Sequence, residues 1–447
     1  MSTFNSIFIG GREKLANTEH LSRYLKSTLH LQKAEELIPL GSQTFSKSRT
    51  QYPLSVSPLF LKYSKGCRSW DLDDNEYIDL VSSLAAVTLG YGDIDVNNAV
   101  KAQIDLGVTL TLPGFLEYEV AQLVNELVPS AEKIRFAKTG SDATAGAIRL
   151  ARAFTKRDHI LIGGYHGWQD WYIGNTSMNL GVPEEVQKLS HSFTVNDFDS
   201  FERLLLRFQN KVAGIILEPI SYTSPTKEFL EYLRLRTTEL GIVLIFDETV
   251  TGFRVAPGGA QEFFGVSPDL TTFGKAIANG FPLSVLCGKN EIMKLMGDIF
   301  FSGTFGGELV SLAAAKTVLT KIRDEDVTGN LARIGQKLET GVNEVLKLLD
   351  FKGVTLSGHH SWQFLNWDEN YFKDITKAKT LFLQEMFFRG ILVLGSHNIT
   401  LSHDDLSIKA VVDAYYDVLN KIKKVEREDT YNTNLLVEPL KPLFKIR

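Results

Sequence analysis

An α/β fold with a mainly parallel sheet flanked by helices is predicted for this chain by two observations. Short apolar, β-rich runs alternate with longer segments of helical period, and the runs end on polar or glycine residues, where sheets of this kind collect ligands. The first element is of another kind. FLKYSKGCRSWDLDDNEYIDLVS (60 to 82) alternates about a polar turn at Asp73 to Asn75 and reads as a small antiparallel unit of two strands. KIRFA (133 to 137) then precedes the helical TGSDATAGAIRLARAF, HILIGG (159 to 164) precedes YHGW, and VAGIIL (212 to 217) precedes EPI. IVLIF and LTTF complete the series, with right-handed crossovers placing helices on both faces. Beyond about residue 310 the pattern changes. VSLAAAKTVLTKI and LARIGQKLETGVNEVLKLL have amphipathic helical period, while KGVTLSG, WQFLNW and GILVLG look like strands of a separate sheet. No repeat, low-complexity tract or long linker interrupts the chain, which divides into an N-terminal segment (1 to 80), a large domain (81 to 325) and a small C-terminal domain (326 to 447).

At 447 residues with 44% apolar content the chain can fill two or three cores. The 48 basic and 53 acidic residues give a net charge of −5 without long runs of either sign, which points away from nucleic acid and anionic membranes and toward a small-molecule substrate. Cys67 and Cys287 are far apart and in no CxxC arrangement, so neither a disulfide framework nor a structural zinc site is expected, and no metal is assigned. MSTFNSIFIGGREKL has too short an apolar stretch for a signal peptide, and no run approaches the length of a membrane span. A reducing cytoplasm is the expected setting.

Asp247 ends one strand and Lys275 follows another. A buried anion and a poorly solvated lysine at neighbouring strand ends are the two groups that pyridoxal phosphate (PLP) requires, an amine for its aldehyde and a carboxylate for its ring nitrogen. Gly140, Ser141 and Asp142 open a helix, whose unpaired N–H groups and dipole favour an anion, with Asp142 better suited to capping than to phosphate. Tyr165, His166 and Glu218 occupy two further strand ends. Each residue has a plainer reading on its own: a solvated lysine, a helix cap, a packed loop aromatic, a turn. Their joint placement makes the functional reading the better one. A Walker A loop does not fit, because Asp269 stands where its first glycine is needed, and no strand is followed by GxGxxG.

GYHGW, LEP, IFDETVTGFR, FGKAIANGFP and SGTFGG, in this order, resemble the class III PLP-dependent aminotransferase family, particularly glutamate-1-semialdehyde 2,1-aminomutase and its aminotransferase-like relatives. The resemblance runs from about Leu37 to about Val418. It implies the fold-type-I architecture: a large domain with a seven-stranded-type sheet, a smaller α+β domain built from both chain ends, and a homodimer. By motif, Lys275 would hold the PLP aldehyde, Asp247 the pyridine nitrogen, and Gly140 and Ser141 the phosphate. Tyr165 would stack on one ring face, Glu218 would lie on the ring-hydroxyl side, and Thr304 would reach the neighbouring subunit's phosphate. Thr249 would face the ring from beneath, where the family usually has valine.

Substrate residues are expected where this chain departs from the aminomutase pattern. IPLGSQTFSKSR (38 to 49) places Lys47 where an arginine would bind substrate carboxylate, and GSHNITLSH (395 to 403) offers His397 and Asn398 in place of a glutamate-containing segment. WQDWYIG (168 to 174) adds Trp168, Trp171 and Tyr172 as expected pocket walls, suited to a sugar-related carbonyl compound; in this the chain resembles the aminotransferase-like members associated with surface-polysaccharide pathways. An aminotransferase is the favoured function. An aminomutase and a non-catalytic PLP-fold binding protein are the alternatives.

Overall fold

The computed structural model describes residues 22–441; the amino-terminal stretch weighed as a signal peptide lies outside them. In chain order the strands are β1 (Leu61–Lys65), β2 (Arg68–Asp71), β3 (Glu76–Asp79), β4 (Lys133–Ala137), β5 (His159–Gly163), β6 (Ser190–Ser192) and β7 (Val212–Leu217). There follow β8 (Val243–Glu248), β9 (Leu270–Phe273), β10 (Ser284–Gly288), β11 (Val354–His359), β12 (Trp362–Trp367), β13 (Ile391–Leu392) and β14 (Ser396–Asn398).

The central sheet has seven strands in the order β4-β10-β9-β8-β7-β5-β6. β10 is antiparallel to both neighbours, and the remaining pairings are parallel. Alternation along the strands sends successive side chains to opposite layers. Ile160, Ile162, Ile216, Val243 and Ile245 pack against the alanine-rich face of α1 (Gly140–Thr155). Leu161, Ile215, Leu217, Leu244 and Phe246 pack on the other side, against α2 (Phe198–Arg207) and α3 (Lys227–Leu240). Burial on both faces explains why VAGIIL and VLIF are continuous apolar runs. A larger apolar cluster joins β10 to α4 (Leu309–Asp324), α5 (Val327–Leu348), α6 (Ile375–Phe388) and α7 (Asp405–Glu428). Among the described residues no helix is long and apolar enough to cross a membrane.

Three expectations need correction. The unit at 60 to 82 has three strands, because the chain turns at Gly66 (φ 60°) between β1 and β2 as well as beyond Asp71, whose carboxylate accepts from the N–H groups of Asp73 and Asn75. GILVLG does not join the C-terminal sheet: its β13 pairs in parallel with β3, Ile391 opposite Ile78, so both chain ends build one small sheet. The separate three-stranded sheet is β11-β12-β14. Finally, β6 and β10 enter the central sheet although neither run stood out, β6 being three residues long and β10 following closely on a helical turn.

Candidate active site

The parallel strands present their carboxyl ends to one cleft of about 190 Å³, lined by Gly140, Ser141, Tyr165, His166, Gly167, Glu218, Asp247, Thr249, Val250 and Lys275. These residues arrive from five strand ends, those of β4, β5, β7, β8 and β9, so the sheet rather than any local motif sets their separation.

At one end of the cleft, α1 begins. Thr139 is its N-cap, its hydroxyl accepting from the Asp142 N–H at 3.2 Å while the Asp142 carboxylate accepts from the Thr139 N–H at 2.8 Å. Asp142 is thereby committed to the capping box and leaves the cleft-lining set. It faces an adjacent surface cleft that also contains Lys138 and Thr304. The first-turn N–H groups of Gly140 and Ser141 remain directed along the helix axis. Gly167 makes this possible: at φ 105° it passes so close that a Cβ there would lie 2.1 Å from Ser141 Oγ. Gly140 likewise admits Thr249, whose Cγ2 would be 2.9 Å from a Cβ at that position.

Asp247 is 5% exposed, and its carboxylate is heavily solvated by protein donors. His166 Nδ1–H donates to Oδ2 at 2.8 Å, while Thr249 Oγ1 (2.6 Å), the Thr249 N–H (3.1 Å) and Thr272 Oγ1 (3.1 Å) donate to Oδ1. Burial would raise its pKa, but the hydrogen bonds from His166 and Thr249 outweigh it and hold the acid below the ordinary carboxylate value. Glu218 goes the other way. Burial pushes it up to about 7, against the lowering effect of His166, although the Tyr165 N–H donates to its Oε2 at 2.9 Å. Lys275 has a left-handed backbone, φ 44°, a strained conformation for a lysine. Burial pulls its amine below the ordinary lysine value; Glu218 and Asp247 oppose this and Arg254 adds to it. The result is a more nucleophilic amine facing an acid that stays ionised.

The remaining expected residues separate. Tyr165 lines the cleft, 49% exposed, with Tyr172 edge-on at 5.5 Å. Trp168 is 67% exposed and outside the cleft lining. Trp171, 7% exposed, is no wall: it lies behind His166, ring centroids 6.2 Å apart and 19° between planes. Lys47 lies in a second cavity with Tyr52, Asp79, Ser83 and Tyr91, its amine donating to Ser83 Oγ at 3.4 Å. His397 is corrected outright. It is fully buried, and its nitrogens are engaged by Gln363 Oε1 (2.9 Å) and the Tyr415 hydroxyl (2.6 Å), which leaves no atom for a substrate. Asn398 likewise donates to the Val81 carbonyl at 2.7 Å and ties β14 to the chain beyond β3. Thr304 stands on an exposed turn outside the cleft.

Sequence reasoning missed Thr139, Thr272 and Arg254. Thr272 is one residue of LTTF, and only the pairing of Asp247 with Thr272 across β8 and β9 shows that its hydroxyl meets the acid. Arg254 is fully buried, its guanidinium bonded to backbone carbonyls and Thr88 rather than to a carboxylate, a placement that no periodicity announces.

The donor set fits PLP: a helix terminus with a hydroxyl for a phosphate, an amine for an aldehyde, and an ionised acid for a ring nitrogen. The comparisons agree. The family model described as "Aminotransferase class-III" matches residues 51–400. Glutamate-1-semialdehyde 2,1-aminomutase of Aquifex aeolicus is 33% identical over 396 residues, covering 82% of this chain and 93% of the relative. The protein of the same name from Francisella philomiragia is 38% identical over 385 residues, covering 79% and 89%. Among solved structures, the FumI protein of Sphingopyxis sp. MTA144, in a PLP-linked form, superimposes with a TM-score of 0.84 at 26% identity, covering 94% of this chain and 99% of that one. A match of this length, running through every strand end that feeds the cleft, makes the chain a member of the class III, PLP-dependent aminotransferase family of enzymes.

Proposed function

We propose that this enzyme moves an amino group between an amino donor and a small carbonyl compound. The observation that carries the reading is the meeting of Lys275, Asp247 and Glu218 in one cleft, each with a different protonation habit. PLP, when bound, supplies the electron sink that makes a C–H beside an amino nitrogen acidic. Asp247, ionised throughout the neutral range, keeps a ring nitrogen protonated. Lys275 Nζ, less basic than an ordinary lysine, would hold the aldehyde end and, once the substrate amine has displaced it, would as a free amine accept and return the proton of the substrate carbon. Gly140 and Ser141 hold the phosphate through backbone N–H groups and the Ser141 hydroxyl. Tyr165 and Thr249, which both line the cleft, would cover the two faces of the cofactor ring.

A homodimer completes the site in this reading, with Thr304 reaching the partner's phosphate. Exposed Phe300 and Phe305 flank that turn, an apolar surface that suits a second copy of the chain. Two free, buried thiols suit a reducing cytoplasm. For a sugar-related acceptor in polysaccharide metabolism, Trp168 alone of the aromatic segment is left as support. The second reading is an aminomutase, favoured by the names of the relatives; it needs no separate acceptor.

The test is to load the protein with PLP, screen amino donors for bleaching of the visible band, and trap the cofactor with borohydride. Aminotransfer requires a donor that bleaches the band and an adduct on Lys275. A protein that stays colourless, or an adduct on another lysine, overturns the assignment. If no amine bleaches the band while a diamino compound is isomerised, the aminomutase reading replaces it.

A further inference from the structure

We propose that the Thr249 hydroxyl is a positioning residue for the cofactor: as the shortest of three donors on Asp247 Oδ1 it draws the carboxylate's charge to that oxygen, and Oδ2, with one donor, is left to receive the ring nitrogen. The two carboxylate oxygens are unequally occupied. Oδ1 receives three donors, the Thr249 hydroxyl at 2.6 Å, the Thr249 N–H at 3.1 Å and Thr272 Oγ1 at 3.1 Å, one more than the two lone pairs of a carboxylate oxygen. Oδ2 receives one, His166 Nδ1 at 2.8 Å, and keeps an open acceptor position. The hydroxyl-to-carboxylate bond is the shortest of the four, as expected of a charge-assisted O–H donor. Valine, the residue expected here by resemblance, has the same shape and no donor. A chain with threonine therefore draws negative charge toward Oδ1, away from the oxygen that faces the ring nitrogen. The acid binds the nitrogen's proton less tightly than a valine-bearing site would, and the cationic ring is less stabilised.

The same side chain also packs. Its Cγ2 lies 3.3 Å from where a Cβ on Gly274 would stand and 2.9 Å from one on Gly140, so the methyl fills a gap between the two loops. Two variants separate the roles: Thr249→Val removes the hydroxyl and keeps the shape, and Thr249→Ser keeps the hydroxyl and removes the methyl.

The inference rests on the PLP assignment and not on the identity of donor or acceptor. The readout is the pH midpoint of the visible absorbance of the PLP-loaded enzyme. One charge-assisted hydrogen bond fewer on Asp247 should raise the midpoint in Thr249→Val by about half a pH unit or more, with Thr249→Ser close to wild type. An unmoved midpoint in Thr249→Val, or a Thr249→Ser shift as large as that of valine, would overturn the proposal and leave the methyl as what matters. A wild type without a visible band would overturn the cofactor assignment and this inference together, whereas a coloured wild type with an unmoved valine variant overturns this inference alone.

Discussion

Glu218 shows how a single position writes itself into the pH behaviour of the whole protein. Its carboxyl rises from 4.5 to about 7 because burial disfavours the anion more than the Tyr165 N–H and neighbouring His166 favour it. A carboxyl with a higher pKa folded than unfolded stabilises the fold through its neutral form. That contribution is complete below about 4.5 and is lost as pH rises through about 7. Glu218→Gln keeps an acceptor for Tyr165 and cannot ionise. In cofactor-free protein it should gain stability over wild type between about pH 5 and pH 8, by about 2 kcal/mol in denaturant unfolding. A difference that stays flat with pH would show that Glu218 titrates normally. At this scale Asp247 and Lys275 were legible because strand ends in a parallel sheet are where polar residues meet. His397 was not: a histidine in a polar segment looks available, and only the packing of Gln363 and Tyr415 against both nitrogens makes it structural.

Among the elements, α1 bears most directly on the cofactor. The capping box places Thr139, not Ser141, at the N-cap, which frees the Ser141 hydroxyl and the first-turn N–H groups for an anion. Thr139→Ala should therefore cost about 1 kcal/mol in thermal unfolding and weaken PLP binding several-fold as the first turn frays, with Thr139→Ser restoring both. A variant with unchanged PLP affinity would separate the cap from the phosphate site. The helix itself was plain from TGSDATAGAIRLARAF, while its cap lay one position ahead of the residues chosen. The same limit applies to β6 and β10. Their short runs enter the sheet because neighbouring strands offer hydrogen-bonding edges, which local propensity cannot report.

In the molecule as a whole, Arg254 ties together parts that are distant in sequence. Its guanidinium donates to the carbonyls of Ala85, Val87, Ser361 and Ile399 and to the Thr88 hydroxyl, with no carboxylate partner among the described residues. The segment it holds is strained: Ser82, Ser83, Leu84 and Ala85 have φ of 47°, 52°, 60° and 66°, a left-handed turn made without glycine. Arg254→Ala would leave those carbonyls buried without donors and the turn without its restraint. It should destabilise the protein by about 4 kcal/mol in urea, with Arg254→Lys recovering less than half because it cannot reach in two directions at once. A loss under about 1 kcal/mol would mean that the turn holds itself.

By itself the sequence determined the class of fold, the succession of its principal strands along the chain and the placement of Asp247 and Lys275 at strand ends that meet in one cleft, because burial on both faces forces apolar runs and because parallel strands bring their carboxyl ends together. Only the tertiary structure decided that β13 joins β3, that Trp171 supports His166 from behind, and that Asp247 divides its donors three to one between its oxygens. Those facts depend on contacts between residues far apart in the chain, and a hydrogen bond's direction is a property of three-dimensional geometry that no local pattern encodes.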